Sequence, residues 1–127
     1  MIRTLMVSSN LPFLSTLTGV LKENDLQVTT TDHSRTALSI MASQRFDLLI
    51  VDEKVGGMTG LQLIERVVSK HPMVNCVAVS TLPPEEFHEA SEGMGVMMQL
   101  PAKPDREDAE KILVRLKKIK HLMNPTG

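Results

Sequence analysis

An acid, a hydroxyl and an amine each follow a short apolar run in this chain. Asp52 closes Leu48-Leu49-Ile50-Val51, Ser80 and Thr81 close Cys76-Val77-Ala78-Val79, and Lys103-Pro104 comes just after the run ending at Leu100. If the runs are parallel strands of one open sheet, the three groups share the rim outside the strands' C-terminal ends, where ligands and chemistry gather. A carboxylate there can act as a nucleophile or cation ligand, a hydroxyl as a hydrogen-bond donor, and an amine as a partner for anions. The equivalent place after the first run, Thr4-Leu5-Met6-Val7, holds Ser8-Ser9-Asn10, where such a site is expected to carry carboxylates. Taken singly, Asp52 reads equally well as a strand-end cap, and Ser8, Ser9 and Asn10 as turn and capping residues. An anion site at that helix start is a further reading. The convergence of Asp52, Ser80 and Lys103 is what favours a site.

Two periodicities alternate between these positions. Leu11, Phe13, Leu14, Leu17, Val20 and Leu21 recur at helical spacing after Asn10, a candidate N-cap. Leu26 to Thr30 is rich in β-branched residues and suits a second strand. Asp32 can cap a second helix with Ala37, Leu38, Ile40 and Met41 inward. Leu48 to Val51 is the continuous apolar run of a strand buried on both faces. After the loop Val55–Gly60, a third helix turns Leu61, Ile64, Val67 and Val68 to one side. Val74 to Val79 is a fourth strand, and Pro83-Pro84 opens a short acidic helix through Glu85, Glu86, Glu89 and Glu92. Val96 to Leu100 is the last strand, and Asp105 starts a final helix carrying Ala109, Ile112, Leu113, Leu116 and Ile119 inward. Strands alternating with helices predict an α/β, doubly wound, five-stranded parallel sheet with five helices in one domain. The flavodoxin-like strand order 2-1-3-4-5 is the natural one, and Pro101 fits an edge position for the fifth strand. The domain is expected over residues 1–123, with a disordered tail at 124–127.

Composition narrows the function classes. The net charge of -1 gives no ground for general nucleic-acid or membrane binding. With no Trp or Tyr and only three Phe, stacking on bases or flavin rings is disfavoured, and the nine Met are core filler. The single Cys76 sits in an apolar run and reads as a buried structural thiol. No signal peptide or membrane span is visible, so a cytoplasmic location is expected. His33, His71, His88 and His121 have no metal-ligand spacing.

The segments Phe46–Asp52, Gly57-Met58-Thr59-Gly60-Leu61 and Leu100-Pro101-Ala102-Lys103-Pro104 resemble the CheY-like receiver domains of bacterial two-component response regulators, over about residues 2–122. The resemblance implies that Asp52 accepts a phosphoryl group from a histidine kinase or phosphotransfer protein. It makes Ser80 the hydroxyl on a phosphoryl oxygen, and Lys103 the amine that pairs with aspartate and then phosphate, before a cis Pro104. It implies a non-enzymatic module that binds Mg²⁺ at Asp52, Ser9 and the main-chain carbonyl of Lys54. Receivers usually carry two acids where this chain has Ser8 and Ser9, which implies weakened Mg²⁺ binding; Glu53 is a conceivable substitute. Leu100 replaces the usual switch aromatic.

Three functions therefore compete: a phosphorylated receiver, a phosphorylation-independent pseudo-receiver acting as an interaction module, and, less favoured, a flavodoxin-like cofactor binder. Lys111, Arg115, Lys117, Lys118 and Lys120 make a basic face on the last helix, ordinarily a solvated one, beside the acidic fourth helix. This suggests contact with a downstream target, or self-association, through the helix 4–strand 5–helix 5 face.

Overall fold

The run Leu48–Val51 forms a strand with no exposed residue, and the rest of the sheet is built outward from it. The computed structural model describes residues 2–119, so the expected tail at 124–127, with Lys120 and His121, lies outside them. The strands are β1 (Arg3–Val7), β2 (Gln27–Thr31), β3 (Leu48–Val51), β4 (Asn75–Val79) and β5 (Val96–Leu100). Between and after them come the helices α1 (Ser15–Glu23), α2 (Ser34–Ser43), α3 (Gly60–Lys70), α4 (Pro84–Ala90) and α5 (Arg106–Lys118). All strand pairs are parallel, in the order β2-β1-β3-β4-β5, which is the predicted topology.

The two-residue period of the strands divides the core into two layers. Met6, Leu48, Ile50, Val77, Val79 and Leu100 face Leu17 and Leu21 of α1 and Ile112 and Leu116 of α5. Leu5, Val7, Leu49, Val51, Cys76 and Ala78 face Ala37 of α2, Leu63, Ile64 and Val67 of α3, and Phe87 of α4. Truncating one of the fully buried leucines, such as Leu49→Ala, is worth about 2–5 kcal/mol by the usual core scale.

Local structure differs from the sequence reading in three places. Asn10 caps nothing with its side chain, because a 3-10 turn at Leu11–Leu14 precedes α1 and Phe13 is turned outward. Helix α2 begins one residue later than Asp32 would allow, so His33 is the cap, its Nδ1 accepting the Arg35 N–H at 3.0 Å. Every peptide bond among the described residues is trans, including Lys103–Pro104; the chain turns there through Lys103 itself, at φ 84°. Helix α5 starts after Asp105 as expected, and α3 starts on a cap of the same kind. Thr59 and Gln62 form a capping box on α3, and Asp105 and Asp108 form one on α5.

Candidate functional site

Register alone brings the first pair of groups together. Val7 lies opposite Val51 in the β1–β3 ladder, so the next residue of each strand, Ser8 and Asp52, are neighbours past the strand ends. Ser8 is fully buried, and its hydroxyl donates to Asp52 Oδ2 at 2.6 Å while accepting the Asn10 N–H at 2.8 Å. The other carboxylate oxygen, Oδ1, accepts the Glu53 N–H at 2.7 Å. Beside them, Lys54 O accepts from both the main-chain N–H of Ser9, at 3.0 Å, and the Ser9 hydroxyl, at 2.7 Å. Helix α3 closes against the end of β3 only because residue 60 is glycine: a Cβ there would run into the main-chain oxygen of Asp52.

Ser80 follows β4 on the same rim, nearly buried, and its Oγ accepts the Leu82 N–H at 3.2 Å. The loop it begins is held from two sides. Glu53 Oε2 accepts the Thr81 N–H at 2.9 Å and the Thr81 hydroxyl at 3.0 Å. From β5, Gln99 Nε2 donates to Ser80 O at 3.1 Å and Leu82 O at 2.8 Å. A groove of about 520 Å³ runs between this loop and the Glu53–Leu61 segment, with Ser80 in its wall. Leu100 is fully buried in the α1–α5 layer, with no polar tip to offer the loop.

Lys103 follows β5 at the rim, but its amine lies 4.7 Å from the centre of the Phe13 ring, a cation–π contact. The Arg106–Glu23 bridge between α5 and α1 is the one ion pair among the described residues, so Lys103 and Asp52 are not joined. The structure thus places Ser8 with Asp52 and Ser9 with Lys54 as two neighbouring hydrogen-bonded pairs, and Ser80 in a bracketed loop at the end of β4. Lys103 is turned aside. Sequence reasoning named Ser8 and Glu53 but not their contacts, and missed Gln99 and Phe13. The strand register was the available signal for Ser8; the others depend on loop shape.

The donor set does not fit a divalent cation. Such an ion takes several oxygens with free lone pairs, carboxylates foremost. Among the described residues no group of three or more His, Cys, Asp or Glu side chains is placed to hold one. Asp52 is the single acid of the inner group, because Glu53 is committed to Thr81. Of the three ligands expected, Asp52 and the Lys54 carbonyl already accept protein hydrogen bonds, and the Ser9 hydroxyl donates its proton to Lys54.

Solved structures with the same fold are plentiful. The chemotaxis response regulator CheY4 of Vibrio cholerae superposes with a TM-score of 0.80 at 23% identity, covering 91% of this chain and 98% of that one. A two-component response regulator from Clostridium difficile gives 0.82 at 14% identity, covering 94% and 99%. The receiver domain of NtrX from Brucella abortus gives 0.77 at 18% identity, covering 88% and 95%. No curated protein matches the sequence. At these identities the likenesses speak for the fold; the family is carried by the sequence itself, which matches the response regulator receiver domain over residues 5–114. That match spans β1 to α5 and takes in Asp52, Ser80 and Lys103, so this chain belongs to the response regulator receiver domains, the receiving modules of two-component signalling.

Proposed function

We propose that this chain is a receiver module that signals by protein contact, without depending on phosphorylation. One observation carries the reading: both oxygens of Asp52 are engaged by donors of the protein itself, Ser8 Oγ at 2.6 Å and Glu53 N at 2.7 Å. Phosphoryl transfer relies on positioning and on cations gathered at the equatorial oxygens. Here the amine of Lys103 rests on Phe13. The module catalyses no reaction of its own. Its partners are a histidine kinase or phosphotransfer protein upstream and a protein target downstream, the latter at the α4–β5–α5 face. No helix among the described residues is long and apolar enough to cross a membrane, and a cytoplasmic site of action is part of the proposal.

A second reading keeps Asp52 as the phosphoacceptor, with Ser80 and Lys103 on the phosphoryl oxygens. It is favoured by the placement of the three residues on one rim, after the adjacent strands β3, β4 and β5. Intact-mass measurement after acetyl phosphate and Mg²⁺ separates the two. A hydroxylamine-sensitive phosphoryl adduct on the wild type, absent from Asp52→Ala, establishes the second reading. No adduct on either protein is the outcome expected here.

A further inference from the structure

We infer that two serine hydroxyls occupy the place of the metal ion in this receiver, so that its rim is assembled without a divalent cation. Receiver domains typically bind Mg²⁺ in an acidic pocket. Such an ion draws the end of β1, the aspartate and the following loop into one cluster through shared oxygen ligands. In this chain the same three segments are joined by protons. Ser8, at the end of β1, ties to the Asp52 carboxylate, and Ser9 ties to the Lys54 carbonyl through both its N–H and its Oγ–H.

Lone-pair counting makes the replacement specific. A main-chain carbonyl has two acceptor positions, and both on Lys54 are filled by Ser9. The one proton of the Ser8 hydroxyl goes to Asp52 Oδ2, and its oxygen accepts from Asn10 N–H. Ser8 is fully buried while Asp52 is half-buried, and a bond to a charged acceptor is of the stronger kind. Glu53, the remaining acid nearby, is drawn off by two donors of Thr81. A cation entering here would have to displace Ser9 from Lys54 and share Asp52 with Ser8 and Glu53 N–H, with that one carboxylate as its acid ligand.

The inference deepens the proposed function and shares its Ser8–Asp52 contact, so the test reads metal binding and not phosphorylation. Thermal unfolding of the full chain is followed by circular dichroism in EDTA and across a MgCl₂ titration. Wild type is expected to melt at the same temperature throughout. Ser8→Ala is expected to melt lower than wild type in EDTA, and equally lower in MgCl₂. The double variant Ser8→Asp/Ser9→Asp is expected to melt lower in EDTA, because like charges crowd Asp52, and to gain a saturable upward shift with MgCl₂.

A saturable MgCl₂ shift in wild type overturns the inference, as does a double variant that folds yet ignores MgCl₂. If the double variant does not fold, Mn²⁺ binding to wild type, read by electron paramagnetic resonance, decides: a bound-ion signal overturns the inference and its absence upholds it. A wild type that ignores Mg²⁺ yet acquires the phosphoryl adduct would sink the proposed function and leave this inference standing. Mg²⁺ binding without an adduct would do the reverse.

Discussion

Cys76 sits inside β4 with no accessible surface, and burial pushes its thiol up from 9.0 to about 12. Low dielectric surroundings disfavour the thiolate, so the folded state holds the proton that the unfolded chain gives up. Because the folded value is the higher, the contribution to stability is complete below the unfolded value of 9.0. It is lost as pH rises from there toward about 12, with a slope of at most about 1.4 kcal/mol per pH unit. The chain has no Tyr, so no phenol titrates in the same range. Urea midpoints measured upward from pH 9 are expected to fall more steeply for wild type than for Cys76→Ala, and parallel curves would contradict this. Site residues were readable from sequence in proportion to how far strand ends determine them. Asp52, Ser80 and Lys103 each follow an apolar run, and runs were visible. That Lys103 meets Phe13 instead of Asp52 was not, since it depends on a 3-10 turn and a left-handed φ that no periodicity encodes.

Among the elements, the β4–α4 connection is the one whose fixing is least expected of a loop. Ser80-Thr81-Leu82 is gripped through Glu53 from the β3–α3 side and through Gln99 from the edge strand. Glu53 reaches Thr81 because the chain beyond β3 is itself fixed, with Gly60 N–H donating to Glu53 O at 3.0 Å and Gly60 packed on Asp52. Thr81 N–H has its acceptor removed in Glu53→Ala, so its amide is expected to exchange with deuterium at least several-fold faster. Amides in the centre of β4 should be unchanged, because local opening is independent of the core. Equal rates at Thr81 in the two proteins would show that the loop is held by Gln99 alone. Strand limits were legible to within a residue, because buried runs and Gly or Pro breaks mark them. A helix start was legible at Asp105, an acid three residues before its box partner; the same device at Thr59 went unread. Starts were misread at Asn10 and Asp32, where two adjacent residues could each serve and a shift of one turn or one residue decided between them.

On the scale of the whole molecule, charge is separated across one face. Helix α4 carries Glu85, Glu86 and Glu89, while α5 is acidic at its start, with Glu107, Asp108 and Glu110, and basic at its end, with Arg115, Lys117 and Lys118; the edge strand β5 lies between the two helices. A groove of about 700 Å³ between β5 and α5 is lined by the apolar Met97, Met98 and Val114 and by charges of both signs, Glu107 and Glu110 with Lys111, Arg115 and Lys118. The self-association expected from the sequence would set acidic α4 of one copy against the basic end of α5 of a second, twice over about a two-fold axis. Such a contact depends on surface charge and is screened within about 10 Å at 0.1 M salt. Sedimentation equilibrium is therefore expected to show an average mass rising with protein concentration at low salt and returning toward the monomer at high salt. Glu89→Lys is expected to abolish the rise, and Glu89→Lys combined with Arg115→Glu to restore part of it, because the second change returns the opposite signs to the facing helices. A monomer at every concentration in low salt would leave the face to a different protein, whose contact the same Glu89→Lys change should weaken. If the double reversal associates no better than the single, the charges act only in solubility, and the apolar strip of β5 and α5 must carry any contact by itself.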